Sequence, residues 1–118
     1  SGKMQRVSVQ AVSVQNPNTV TKRVCFQTPE VLVFVLTLGQ GHSIPPHKHP
    51  GSALVMHVSA GSGLITVDGQ EHRVQQGDVI LLTGDEELGM QNPGQEPLVL
   101  LVSLSPNPSD PAFSREHG

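Results

Sequence analysis

An all-β sandwich or barrel is the fold class that this sequence predicts, from its composition and its turn residues. The 118-residue chain contains 12 Gly and 10 Pro, and only 14% of its residues are charged. Val is more frequent than Leu and Ala is scarce, which disfavours a helical bundle. Short strands joined by Gly and Pro turns are favoured instead. The length predicts one domain at 1–118, with a core at about 20–104 and a C-terminal tail at 105–118.

The first three predicted strands differ in the arrangement of their apolar residues. Val7–Val14 alternates apolar and polar residues, with one change of register, which predicts a half-buried strand at a sheet edge. Val20–Phe26 predicts a weaker strand with Lys22 and Arg23 on its outer face. Val31–Leu38 is a continuous apolar run that is too short and too β-branched for a helix. It predicts a strand buried on both faces.

Gly and Pro residues divide the rest of the chain into short segments. Asp68-Gly69 is a strong signal for a β-hairpin turn, and Ala60–Gly63 is expected to form another turn. From Pro106 onward the chain is rich in Pro, Ser and charge, which predicts a loosely docked tail. Ile44–Pro46 is expected to be extended because of its two prolines. The remaining strands are expected at Ala53–Ser59, Leu64–Val67, His72–Val74, Val79–Leu82, Met90–Gln91 and Leu98–Leu104.

Charge and aromatic content exclude several classes of partner. The formal net charge is −3 with seven Lys and Arg residues, so the chain lacks the basic surface that nucleic acid requires. No Trp or Tyr is present for base stacking, and no apolar run approaches the roughly 20 residues of a membrane helix. The lone Cys25 excludes a disulfide framework and a Cys-based zinc site. We expect no nucleic acid or membrane partner, and the missing signal pattern predicts a cytoplasmic protein.

Six histidines stand out in a chain with so little charge. His47 and His49 follow Pro45-Pro46, and their i, i+2 spacing on an extended segment places both imidazoles on one face. Two neutral imidazole nitrogens on one face suit a divalent transition metal. The pair is therefore the first candidate for a metal site.

The spacing around this pair resembles the first signature of the cupin superfamily: Gly, five residues, His-x-His, three or four residues, Glu, six residues, Gly. From Gly77 onward the chain resembles the second signature: Gly, five residues, Pro-x-Gly, two residues, His, three residues, Asn. The matching positions are Gly41, His47, His49 and Gly61 in the first signature and Gly77 and Asn92 in the second. The resemblance covers about Val31–Leu104. It implies a double-stranded β-helix, the jelly-roll cupin barrel, and a site of three His and one Glu around a metal ion.

Two of the four ligand positions implied by this resemblance hold leucine. Leu54 stands at the Glu position and Leu88 at the His position, while Thr83 and Asp85 replace the Pro and Gly of the second signature. Leucine cannot coordinate a cation, and two imidazoles leave most of the coordination shell to water. The metal motifs are degenerate, so we expect one divalent metal (Fe, Mn, Ni, Cu or Zn) at low occupancy, or none.

Two further histidines are weaker candidate ligands. His57 lies three residues after Leu54, so strand alternation turns it towards a sheet face or a dimer interface unless a β-bulge intervenes. His42 lies five residues before His47 and could reach the mouth of a pocket. The other expected placements are an exposed His72, His117 in the tail, Cys25 in the core or at an edge, and a solvated acidic loop at Asp85, Glu86 and Glu87.

Inward-facing residues near the histidine pair predict an apolar cavity with a polar mouth, the usual composition of a small-ligand site. The alternative is that these residues simply fill the barrel. The residues concerned are Phe34, Leu54, Met56, Val58, Leu88 and Met90, with Leu36 as a further candidate.

Two functions remain open on the sequence, beside a third class, a structural or interaction module. The first is a binding protein that holds a small apolar or weakly polar molecule in the barrel, beside an incomplete two-His metal site. The alternative is a metal-dependent enzyme of the dioxygenase or isomerase type, using His47, His49 and a non-standard ligand. In both cases we expect a homodimer, with Val7–Val14 as an edge strand that exchanges between subunits.

Overall fold

Two antiparallel β-sheets enclose the core in the structure, a computed structural model that describes residues 3–118. Within these residues the strands are β1 (Thr21–Gln27), β2 (Leu32–Leu38), β3 (Ser43–His47), β4 (Ala53–Ala60), β5 (Ser62–Val67), β6 (Gln70–Gln75), β7 (Val79–Leu82), β8 (Leu88–Gln91) and β9 (Leu98–Ser105). The larger sheet has the order β1-β2-β9-β4-β7, and the smaller has the order β3-β8-β5-β6. The all-β prediction is confirmed.

Alternating burial along the strands shows how the two sheets form the core. On β4, Leu54, Met56 and Val58 are buried, whereas Val55 is exposed. The same period of two places alternate residues of β9 on the core face, because successive side chains of a strand point to opposite sides. Phe34 is the one aromatic residue among the buried core residues that the structure describes. The core is therefore built almost wholly from aliphatic side chains.

The strand β2 is buried on both faces, as its apolar run predicts. It lies between β1 and β9, with Phe34 and Leu36 in the core cluster. Val35 and Thr37, on the opposite face, are buried as well. A strand that is paired at both edges and covered on both faces cannot accommodate charged side chains. It therefore has a continuous apolar sequence, which is the pattern that predicts this strand.

The predicted hairpin turn joins β5 to β6. Asp68 and Gly69 both have positive φ, at 49° and 83°, as a type I′ turn requires. The turn expected over Ala60–Gly63 is shorter than predicted, because β5 already begins at Ser62.

The edge strand predicted over Val7–Val14 is wrong. Val9–Val12 form a single helical turn, α1, which is capped by the side chain of Ser8. The change of register in the sequence explains the error, because it leaves two valines three residues apart, on the same face of a helix. No helix within residues 3–118 combines the length and the apolar character that crossing a membrane would need.

Lys22 faces the interior of the barrel, contrary to the outward position predicted for it. It alternates with Val20 and Val24, which pack against the core, and it lies opposite Leu36 of β2. Successive residues of a strand point to opposite faces, so Lys22 and Arg23 cannot both lie outside. The apolar neighbours at i−2 and i+2 decide which of the two faces inward.

The C-terminal tail returns along the open edge of β1. The backbones of His117 and Lys22 exchange two hydrogen bonds, of 2.8 and 3.2 Å, and the guanidinium of Arg23 donates to the His117 carbonyl oxygen. A 3₁₀ turn at Pro111–Ser114 places Phe113 against the core. The tail is held more firmly than its composition predicts, because it pairs with backbone groups at the edge of the sheet.

Candidate functional site

A cavity of about 330 Å³ opens beside β3 and the C-terminal tail. Phe34, Leu36, Leu54 and Met90 contribute to its apolar wall. The polar side chains that line it are Thr19, Lys22, Ser43, His47, His49 and His117. An apolar wall with a few polar groups is typical of small-molecule sites.

The two histidines of the His-x-His segment both line this cavity. His47 ends β3, and its Nδ1 lies 3.0 Å from the carbonyl oxygen of Pro45. His49 follows in the next loop, where its backbone N–H donates to the carbonyl oxygen of Gly84 at 2.9 Å. The ring centroids are 4.7 Å apart and the ring planes are tilted by 53°. The spacing in the sequence therefore brings the pair together.

His49 is the buried member of the pair, with only 4% of its surface exposed. Burial lowers its pKa from an ordinary value of 6.5 to about 4, and the charges of His47 and Lys22 act on the pKa in the same direction. The ring is therefore neutral at neutral pH, when its nitrogens can accept as well as donate hydrogen bonds.

Leucines occupy the two positions where the signatures place further metal ligands. Leu54 is buried and forms part of the cavity wall, and Leu88 is buried opposite His47 in the pairing of β3 and β8. Within residues 3–118, His, Cys, Asp and Glu side chains form no group of three that could hold a metal ion. The residues present do not fit the three-His, one-Glu site, so we derive no chemical step through a metal.

His57 lies away from the pair. The pairing of β4 with β7 is regular from Leu54 to His57, so the bulge that would turn the imidazole inward is not there. Its Nδ1 lies 3.2 Å from the Ser59 hydroxyl, on the face of β4 opposite Leu54. His57 therefore lies on the outer face of the sheet, as strand alternation without a β-bulge predicts.

His42 closes the turn between β2 and β3. Its Nδ1 accepts a hydrogen bond of 2.9 Å from the backbone N–H of Gly39, and its Nε2 lies 3.2 Å from the carbonyl oxygen of Pro17. Both ring nitrogens are thus engaged by the backbone, and the ring does not line the cavity.

The predicted pocket residues divide into two groups. Phe34, Leu54 and Met90 line the cavity, as does Leu36. Met56, Val58 and Leu88 are fully buried in the core instead. This second group fills the barrel, which was the alternative interpretation of the sequence.

Glu86, His72 and Cys25 lie outside the cavity. Glu86 accepts a hydrogen bond of 2.9 Å from the backbone N–H of Thr83, within its own loop. His72 is exposed, as predicted. Burial, and secondarily the charge of Glu116, raises the pKa of the Cys25 thiol, so this cysteine is less reactive than a free one.

Three residues of the site were missed by sequence reasoning. The Lys22 Nζ lies 4.3 Å from the centre of the Phe34 ring and donates a hydrogen bond to the carbonyl oxygen of Phe113. The Phe113 ring lies 5.4 Å from that of His49, and the Nε2 of His117 lies 3.0 Å from the Thr19 hydroxyl. The alternation of Lys22 with two valines was a usable signal. The tail residues offered none, because their contacts reach across nearly the whole chain.

Residues 34–104 match the family model described as Cupin domain. The chain belongs to the cupin family. The matched region includes the histidine pair and both leucines at the altered ligand positions. This cupin therefore differs from the signatures of its family inside the domain itself.

Solved structures share the fold of this cupin. An uncharacterized conserved protein with a double-stranded β-helix domain from Klebsiella pneumoniae superposes with a TM-score of 0.82 at 21% identity, covering 88% of this chain and 91% of that one. TT1209 from Thermus thermophilus gives the same TM-score of 0.82 at 25% identity, covering 89% and 100%. The predicted double-stranded β-helix, the jelly-roll cupin barrel, is confirmed.

A curated relative with a named activity matches only part of the cupin. The dimethylsulfoniopropionate lyase DddW from Ruegeria pomeroyi is 30% identical over 60 residues, which cover 51% of this chain and 39% of the lyase. The matched segment thus spans well under half the length of that relative. The lyase activity in its name is a property of that relative.

Proposed function

We propose that this cupin binds a small, largely apolar molecule in its barrel cavity, beside an incomplete two-His metal site. The observation that carries the proposal is the place of Leu54. It stands where the family signature has a metal-binding Glu, and it forms part of the apolar cavity wall instead. A leucine there removes a metal ligand and adds surface that favours an apolar guest.

The size of the cavity also favours binding. Its volume of about 330 Å³ lies at the lower end of the range for small-molecule sites, roughly 300–1,000 Å³. Most of the lining residues lie on strands of the two sheets, so the cavity is largely pre-formed and little ordering is required on binding.

Titration of isotope-labelled protein with neutral apolar probes tests this function. We expect indole, toluene and 1-hexanol to shift the amide signals around the cavity in a saturable way. Leu54→Trp fills the cavity and should abolish these shifts. Met4→Trp introduces the same side chain at an exposed site and should leave them unchanged. A wild-type protein that binds no probe, or a Leu54→Trp variant that binds as tightly, would refute the proposal.

The second candidate function is a metal-dependent enzyme of the dioxygenase or isomerase type. The 4.7 Å separation of the His47 and His49 rings supports the metal site, and the partial similarity to a named lyase supports an enzymatic activity in general. Elemental analysis of protein purified without added metal tests this candidate. A stoichiometric metal that disappears in a His47→Ala, His49→Ala variant would favour the enzyme, and a metal-free protein with no thermal shift towards Fe, Mn, Ni, Cu or Zn would exclude it.

We also propose that the cupin forms a homodimer, through a surface other than the predicted edge strand. Val55, Val79 and Leu81 are 41%, 66% and 71% exposed on the outer face of β4 and β7. Val55 pairs directly with Leu81, so these side chains form one apolar patch. Light scattering should give twice the monomer mass for the wild type and the monomer mass for Leu81→Glu. Cytoplasmic location and a single domain over 1–118 remain predictions from the sequence.

A further inference from the structure

A half-buried lysine on the inner face of the barrel is the least expected residue of the cavity. The Nζ of Lys22 lies over the Phe34 ring and donates one hydrogen bond, to the carbonyl oxygen of Phe113. Buried lysines are uncommon unless an opposite charge accompanies them. An ammonium has three N–H donors, so the bond to Phe113 leaves donors for another partner.

No carboxylate lines the cavity among the residues that the structure describes. The titratable side chains in its lining are Lys22, His47, His49 and His117. Burial lowers the pKa of Lys22, because leaving water disfavours the charged ammonium. The positive charge of Lys22 also lowers the pKa of His49, so its field acts within the cavity. The residues that line the cavity thus include the cation of Lys22 and no carboxylate to pair with it.

Protection of a sheet edge is a different reason for an inward-pointing lysine, since such charges discourage pairing with another chain. β1 is an edge strand of the larger sheet. Its edge is already covered by the tail, because His117 pairs with the Lys22 backbone and the Glu116 carboxylate accepts from the Val24 N–H at 2.7 Å. A covered edge has no need of this protection, so a ligand explains the lysine better.

We propose that the occupant of the cavity is a small monocarboxylate with an apolar body, whose carboxylate pairs with the ammonium of Lys22. This inference rests on the binding function proposed above and narrows its ligand class. Hydrogen bonds between two charged groups are shorter and stronger than those between neutral ones. The apolar body packs against Leu36, Leu54 and Met90, where its surface is removed from water.

Matched acid and amide probes isolate the contribution of the charge. Benzoate and benzamide, and likewise hexanoate and hexanamide, have nearly the same size and apolar surface but differ in charge at the terminal group. Isothermal titration of the wild type at neutral pH should give dissociation constants about 10–100-fold lower for the acids than for their amides.

Lys22→Met removes the charge and leaves an unbranched apolar side chain, one heavy atom shorter, beside Phe34. We expect this variant to bind the amides as the wild type does and to lose the preference for acids. Lys48→Met is the matched control, because it makes the same change at an exposed lysine, and it should retain the preference.

The outcomes separate this inference from the binding function. Equal binding of acids and amides by the wild type, or an acid preference that persists in Lys22→Met, would overturn the inference and leave cavity binding intact. Failure of all four probes to bind would overturn both. If Lys22→Met does not fold, an NMR experiment on the wild type tests the same contact. The carbon-13 signal of the Lys22 Cε should shift more with benzoate than with benzamide, and equal shifts would overturn the inference.

Discussion

Leu88 lies directly opposite His47 in the antiparallel pairing of β3 and β8. Side chains at directly opposed positions of an antiparallel pair have Cβ atoms about 4.5–5.5 Å apart. A histidine at position 88, as the family signature has, would therefore have its Cβ atom close to that of His47. Leu54 approaches the same cavity from the other sheet. The strand positions of the family ligands are present in this fold, and two of them carry buried leucines.

Restoring both ligands should create a metal site. The variant Leu54→Glu, Leu88→His places four ligand side chains at the positions of the family signatures. Without metal we expect it to be several kcal/mol less stable than the wild type, because polar groups replace buried leucines. Added Ni²⁺ or Zn²⁺ should restore about 3 kcal/mol at a hundredfold excess over Kd. Thermal melts with and without metal measure both effects.

The control for this experiment carries the new ligands without the histidine pair. The same variant with His47→Ala and His49→Ala should show no metal-dependent rise in Tm. If metal also leaves the Tm of the two-residue variant unchanged, His47 and His49 do not converge on positions 54 and 88.

The stability of the protein should decrease in mild acid because of His49. The folded state keeps this ring neutral down to a pKa of about 4, whereas the unfolded chain protonates it near 6.5. Between these values the unfolded state binds more protons, so stability falls as the pH decreases from 6.5 to 4. The loss should be about 2 kcal/mol or less, because the ring borders the open cavity and water screens it.

Urea denaturation at a series of pH values measures this dependence. His49→Gln should flatten the slope, because the group responsible is removed. His72→Gln, at an exposed position, should keep the slope of the wild type. If the free energy of unfolding of His49→Gln still decreases in mild acid as in the wild type, groups other than His49 cause the effect.

Gly84 should resist substitution because of its contact with the loop that carries His49. A Cβ at this position would overlap the carbonyl oxygens of His49 and Ser52. We expect Gly84→Ala to lower the free energy of unfolding by about 1–3 kcal/mol and to weaken probe binding as His49 is displaced. Gly94→Ala is the control, since its new methyl group would meet only the Asn92 Oδ1, at 3.5 Å. Equal losses in the two variants, measured by urea denaturation, would contradict this account.

Phe113→Ala should widen the mouth of the cavity. The Phe113 ring packs against the core and lies 5.4 Å from the ring of His49. Removing it should lower stability by about 1–3 kcal/mol, less than for a fully buried phenylalanine, and should speed the dissociation of bound probes. Exchange broadening of the probe signals measures the dissociation rate. Arg115→Ala, an exposed change in the same tail, should alter neither quantity.

Local patterns account for the parts of the fold that the sequence predicts. The apolar run of β2 and the Asp68-Gly69 turn depend on residues that are neighbours in the chain. The His47 and His49 pair is likewise local, since two residues of an extended segment share a face. Composition, periodicity and spacing were sufficient for these features.

The features that escaped prediction depend on contacts between distant parts of the chain. Arg23 and His117 are hydrogen-bonded across 94 positions, and no pattern near either residue indicates this contact. The outward placement predicted for Lys22 follows from the usual exposure of charged side chains. Val20 and Val24, its neighbours at i−2 and i+2, face the core. On a strand this alternation places Lys22 on the same face as the two valines, despite the polarity of its side chain.

Asn92, a match to the second signature, holds the chain in place through its amide. Its Nδ2 donates to the carbonyl oxygens of Leu38 and Glu96, and its Oδ1 accepts from the N–H of Gly94. All three bonds shape the backbone, and they do not depend on what the barrel contains. Asn92 thus maintains the architecture from outside the cavity, whose lining residues determine its chemistry. Such a division lets the interior change by single substitutions while the barrel continues to fold, and it is one reason why a single scaffold can serve unrelated activities over evolutionary time.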